Sequence, residues 1–159
     1  MSEKTPQVKA FWAAFKAAAG IGHDRYDVMA FGDSPEMADE LADLVINGPK
    51  RATAGLARDF GPDGEPMPAV GGHVVVIDGS GAPCCIWHTT DVAVKPLIEV
   101  DDAFAWDEGE GDRTRDDWLR MHRDFFARQA VREGFHFHDR METVFERFTI
   151  VWPPEVADR

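Results

Sequence analysis

The sequence predicts an α+β fold, a small barrel of about five or six strands flanked by three helices. Three observations predict it. Short β-branched or alternating runs crowd together between residues 73 and 100, and another closes the chain at 143–152. Two cap-plus-proline starts, Thr5-Pro6 and Ser34-Pro35, each precede apolar residues at helical spacing. A third helical stripe, the longest, follows Thr114. With 159 residues, 44% of them hydrophobic, and 11 Phe and 5 Trp, a single domain over 1–159 with a substantial core is the natural expectation.

In chain order, Val8, Phe11, Trp12 and Phe15 give the first helix an apolar face, and Gly20-Ile21-Gly22 ends it. Residues 26–31 read as an extended segment leading into a Gly32-Asp33 turn. Met37, Leu41, Leu44 and Val45 make the stripe of the second helix. Asn47-Gly48-Pro49 stops it, with Gly48 expected in a left-handed cap. Residues 51–56 read as a strand, and 59–72, with three Pro and four Gly, as a loop. Residues 73–77 and 82–89 form a hairpin about the turn Asp78-Gly79-Ser80-Gly81. Alternation of Val92, Val94, Ile98 and Val100 predicts a further strand over 91–100, with Pro96 marking an edge or a bulge. Residues 101–106 form a helical turn, and Asp107-Glu108-Gly109-Glu110-Gly111-Asp112 an acidic loop. The long helix runs to Arg132 on the stripe Trp118, Leu119, Met121, His122, Phe125 and Phe126. The strand 143–152 puts Val144, Glu146, Phe148, Ile150 and Trp152 on one face.

Charge and cysteine content restrict function. The formal net charge is −12, from 17 basic and 29 acidic residues. Nucleic-acid binding draws on Lys and Arg neutralising phosphates, so RNA requires a local basic patch and DNA is not expected. An uncharged nucleoside meets no such obstacle. No apolar run approaches the roughly 20 residues of a membrane helix, and the N-terminus carries no apolar signal core. The only cysteines, Cys84 and Cys85, are adjacent and unsuited to an ordinary disulfide. A reducing cytoplasm is the expected location.

The helix stop at Asn47-Gly48-Pro49 delivers Lys50 and Thr53 on a pinned segment, and Glu110 lies on the glycine-marked acidic loop. A threonine hydroxyl needs a base before it is a nucleophile. A buried lysine can be that base or stabilise an oxyanion, and a carboxylate can move a proton to a leaving amine. The same three residues also read as a surface cation, a strand residue and a solvated acid. Glu108, Glu110 and Asp112 offer oxygens to a divalent ion but lack a calcium-loop pattern, and His136-x-His138-Asp139, taken with His122 and His73, lacks a third ligand at a recognisable spacing. No metal or other cofactor is expected.

Gly48-x-Lys50-x-x-Thr53 resembles the signature of the ASCH domain, a small β-barrel related to the PUA domain. Residues 30–35, the acidic loop followed by Trp118, His122 and Phe125-Phe126, and Glu146-Arg147-Phe148 resemble further blocks of its longer bacterial members, in the same order. The resemblance implies a core over 26–152 and an N-terminal helical extension over 1–25. One ASCH protein is an N4-acetylcytidine amidohydrolase using a Lys, a Thr three residues later and a distant Glu. The matching positions are Lys50, Thr53 and Glu110, with Glu108 the alternative acid. That enzyme is a minimal domain without the extension or the glycine-rich loop, and other members are linked to RNA cleavage. Hydrolysis or binding of a modified nucleoside and RNA binding with ribonuclease activity therefore both stay open. Tyr26 is expected to stack on a base. Asp33, Glu108, Arg113 and Arg147 are expected to contact ligand, Asp33 also serving the helix start beside Ser34.

Overall fold

A computed structural model describes residues 2–158. The chain is α+β: a curled, five-stranded half-barrel sheet with four helices. The elements are α1 (Pro6–Ala19), β1 (Asp27–Met29), α2 (Pro35–Ile46), β2 (Ala52–Leu56), β3 (His73–Ile77), β4 (Pro83–Pro96), α3 (Asp102–Glu108), α4 (Arg115–Glu133) and β5 (Glu142–Trp152). The sheet order is β1-β3-β4-β5-β2, antiparallel except for the parallel β1–β3 pair.

Both cap-plus-proline starts form. The Thr5 hydroxyl accepts from the Val8 amide at 3.2 Å and the Ser34 hydroxyl from the Met37 amide at 3.1 Å. Each relieves one unpaired donor of a first helical turn. Asp33 takes no part in this cap; its carboxylate accepts from Arg128 and Arg132 of α4. Gly48 stops α2 by a different device from the one expected. It is absent from the left-handed glycines; instead it passes so close to the helix that a Cβ would lie 2.8 Å from the Leu44 carbonyl oxygen.

The hairpin partner and the strand expected over 91–100 are one long strand. β4 runs through Thr89 and Asp91 with a register shift between them, and it ends at Pro96. Residues 97–99 form a short 3-10 turn, which is why Ile98 and Val100 do not continue the alternation; Val94, within the strand, is exposed. Beyond His88 the strand loses β3 and keeps only β5 as a neighbour, so Pro96 sits where one hydrogen-bonding edge is open. The helical turn expected over 101–106 extends through Glu108, capped by Asp101 and closed by left-handed Gly109.

Strand alternation divides the core. Val74 and Val76 face one way, joining Trp87, Phe148 and Ile150 beneath Leu41 and Val45 of α2. Val75 faces the other way, joining Val28 and Ile86 beneath Val8, Trp12 and Phe15 of α1. On β5, Phe145 enters a third cluster with Phe104 of α3 and Trp118, Leu119 and Phe126 of α4. Its neighbours Val144 and Glu146 turn to the opposite side, into a cleft bounded by α2, α4 and the loop over 57–72. The Gln129 amide nitrogen on α4 donates to the Asp59 carboxylate, 2.9 Å from both of its oxygens, and ties that loop to the helix.

Candidate active site

The chain segment leaving α2 and the segment leaving α3 meet backbone to backbone. The Arg51 amide donates to the Asp107 carbonyl at 2.7 Å. At Gly109 a Cβ would lie 2.8 Å from both the amide nitrogen and Cα of Lys50, and φ is +71° there. Only glycine suits that contact. It drives Lys50 directly between the two acidic residues on either side of Gly109.

Lys50 is 1% exposed. Its Nζ donates to Glu110 Oε2 at 2.8 Å, the Ala52 carbonyl at 2.8 Å, Glu108 Oε1 at 3.2 Å and, more weakly, the Glu108 carbonyl at 3.4 Å. Three N–H groups thus serve four acceptors. Burial alone opposes the ammonium, but the two carboxylates outweigh it and hold the Lys50 pKa above its ordinary value. The charged form of Lys50 is thereby favoured, and its ammonium is surrounded by acceptors alone.

The two glutamates diverge in character. Glu108 is 1% exposed, yet Lys50, His122 and the Trp118 indole overcome desolvation and hold its carboxyl at about 2. Trp118 Nε1 donates to Glu108 Oε2 at 2.7 Å, and His122 Nε2 lies 3.3 Å from the same oxygen. His122 Nδ1 sits 2.8 Å from the Trp118 carbonyl, where only an N–H can satisfy that acceptor, and the ring stacks on Trp118 at 3.8 Å. A proton on both nitrogens suits this position, and the His122 pKa is raised by Glu108 against the effect of burial. Glu110 goes the opposite way: desolvation, reinforced by the Glu108 charge, raises its carboxyl despite Lys50. Relative to an ordinary carboxyl, the charged form is thus favoured at Glu108 and the neutral form at Glu110.

Thr53, on β2, lines the same cleft and makes no side-chain hydrogen bond to another described residue. Its cross-strand partner is Glu146 of β5. Glu146 is 7% exposed and has no cationic partner among the described residues. Its Oε2 accepts from the Thr89 hydroxyl at 2.7 Å and from Trp87 Nε1 at 3.2 Å, and burial raises its pKa. The cleft encloses about 540 Å³ and has an apolar wall that includes Phe31, Met37, Leu41 and Trp87. Asp27, Asp59, Glu65 and Asp124 add carboxyls to its lining, whereas Arg120 and Arg128 are engaged by Asp117 and Asp33.

Of the residues singled out in the sequence, Lys50, Thr53, Glu108 and Glu110 converge on this cleft. The other four do not line it. Tyr26 stacks on Trp12 at 4.5 Å within the α1 core. Asp33 is spent on the two α4 arginines. Arg113 donates to the Trp106 carbonyl at 2.9 and 2.7 Å and lies over that ring on the outer surface. Arg147 pairs with Asp107 and Asp91 on the other side of β5 from the cleft-lining Glu146. Glu146 and His122 also line the cleft, though the sequence offers His122 only as a stripe residue and a histidine without metal-ligand spacing, and Glu146 only as one face of a strand. Alternation along β5 was the available signal for Glu146.

Glu108, Glu110 and His122 form the one group of metal-type ligands gathered among the described residues, their ligand atoms within 4.8 Å of one another. Lys50 already supplies the positive charge that binds both carboxylates, so a divalent ion would have to displace a buried ammonium or be repelled by it.

Residues 27–152 match the ASCH domain. The structure resembles an ASCH domain from Lactobacillus crispatus JV V101, at 30% identity and a TM-score of 0.85, over 94% of this chain and 96% of that one. It also resembles a protein from Enterococcus faecalis V583, at 32% identity and a TM-score of 0.83, over 91% and 88% of the two chains. No curated protein matches. No helix among the described residues is long and apolar enough to cross a membrane.

Proposed function

This chain belongs to the ASCH domain family, and from that premise we propose that it is a small hydrolase of modified nucleosides, cleaving the amide of an N4-acylated cytosine nucleoside. The observation that carries the reading is a shared cleft. Thr53 lines it without a side-chain partner among the described residues, and Glu110 reaches it while bound to a buried, fixed ammonium. Glu110 takes the Thr53 proton as the hydroxyl attacks the acyl carbon, then gives it to the departing exocyclic amine. Lys50 keeps Glu110 in place and sets a positive charge near the developing oxyanion. Water then releases the acyl group from Thr53.

The acidic lining favours an uncharged nucleoside over a ligand that presents phosphates, which sets this reading above RNA binding. The test is release of cytidine from N4-acetylcytidine, within a panel of acylated nucleosides, with and without chelator. Turnover unaffected by chelator is expected. Inactivity across the panel would reject the hydrolase, and loss with chelator would replace Lys50 by a metal as the electrophile. Generic single-stranded RNA should bind weakly and with strong salt dependence. Tight binding to it at physiological salt would favour the RNA module instead.

A further inference from the structure

The wall of the cleft leads from Lys50 to a second polar group. The Phe31 ring centre lies 5.2 Å from Lys50 Nζ and 5.8 Å from the Trp87 ring, and the Trp87 indole N–H is bonded to Glu146. Trp87 is itself locked by Phe148, stacked at 4.1 Å. Glu146 Oε2 is therefore held by two donors fixed in the core, Thr89 and Trp87. Glu146 Oε1 accepts from no described side chain, and no buried side-chain oxygen lacks a partner among the described residues, so this oxygen is open to the cleft that Glu146 lines. A carboxyl more than nine-tenths buried, with no cationic partner among the described residues and one oxygen turned into an aromatic-walled cavity, is arranged to receive a donor from outside the protein.

We propose that Glu146 reads the ligand's ring, with Oε1 accepting an exocyclic amino N–H, so that the cleft selects amino-bearing bases over their keto counterparts. The proposal rests on the nucleoside reading above and adds which edge is recognised. The indole N–H is a donor only, which makes the orientation of any replacement at this position one-sided. In Glu146→Gln the amide oxygen must face Trp87, because the amide NH₂ there would oppose a second donor. The NH₂ then faces the cleft, and the group offered to the ligand changes from acceptor to donor.

The test is calorimetric binding of cytidine and uridine at neutral pH and at about pH 8, since ionisation of the carboxyl gains as pH rises, to the wild type and to Glu146→Gln. The wild type should bind cytidine about 10- to 100-fold more tightly than uridine, the range for a hydrogen bond to a charged group. Glu146→Gln should invert the order, a result that loss of packing cannot produce. Equal binding of both nucleosides by the wild type overturns the proposal while leaving the nucleoside reading intact. So does a folded variant with unchanged preference. If neither nucleoside binds the wild type at millimolar concentration, the nucleoside reading itself fails and the proposal falls with it. The wild-type comparison stands even if the variant does not fold.

Discussion

Lys50→Met should destabilise the protein by about 3–5 kcal/mol, the usual cost of removing one partner from a buried ion pair. That is a large share of the roughly 5–15 kcal/mol that holds a typical domain folded. Methionine fills most of the space but leaves Glu108, 1% exposed, and Glu110 without the ammonium between them, His122 remaining only on the far oxygen of Glu108. The carbonyls of Ala52 and Glu108 lose a donor at the same time. Urea denaturation near neutral pH measures the loss. Adding Glu108→Gln to Lys50→Met should recover part of it, because one stranded charge is removed, and the double-variant cycle should show coupling well above the few tenths of a kcal/mol of independent sites. A Lys50→Met protein within 1 kcal/mol of the wild type would mean that the buried ion pair is not what orders this junction.

The second large effect separates the two glutamates. Glu108 has a folded pKa of about 2 against an ordinary 4.5. Its ionisation therefore contributes stability above the unfolded pKa, and that contribution disappears as pH falls through the folded value. Glu108→Gln should cost about 3 kcal/mol near neutral pH and flatten the loss of stability between about pH 5 and pH 2. Glu110 carries the opposite sign. Its pKa is raised, so its favourable contribution is present below the unfolded pKa and is lost as pH rises through the folded value. Glu110→Gln should thus leave stability near neutral pH unchanged or slightly improved, yet lower turnover by about 10²–10⁴-fold through loss of proton transfer. Denaturation across pH, paired with cytidine release, checks both halves. Equal stability losses in the two variants would contradict the division of labour between them.

The sequence carried the local events well and the long-range ones poorly. Thr5-Pro6, Ser34-Pro35 and Thr114 act within their own helical turns, so their caps were readable. The Lys-x-x-Thr segment was readable because the α2 stop leads straight to it. Glu108 was assigned to a loop because Gly109 and Gly111 suggested one. The better signal was its spacing of four from Phe104, which puts both on the inner face of α3. The choice of Arg147 over Glu146 was a choice of face. Alternation separated the two residues, but which face met the cleft depends on β5 lying between β4 and β2, a pairing that no local pattern states. Tyr26 shows a related limit: an aromatic suited to stacking on a base is also suited to stacking on Trp12. The merging of two expected strands into β4 has the same origin, since a bulge at Thr89–Asp91 shifts register without ending the strand.

The proposed reaction turns on Thr53 as the nucleophile in a cleft set by Lys50 and Glu110. Rapid mixing with N4-acetylcytidine, acid quenching and mass spectrometry of the Thr53-containing peptide tests it most directly. A transient acetyl ester on Thr53 should form with the first turnover of cytidine release, and a Thr53→Ala protein should bind the nucleoside but not release cytidine. Cytidine release at the wild-type rate by Thr53→Ala, with no acetylated peptide at any time in the wild type, would contradict it and identify water as the attacking group.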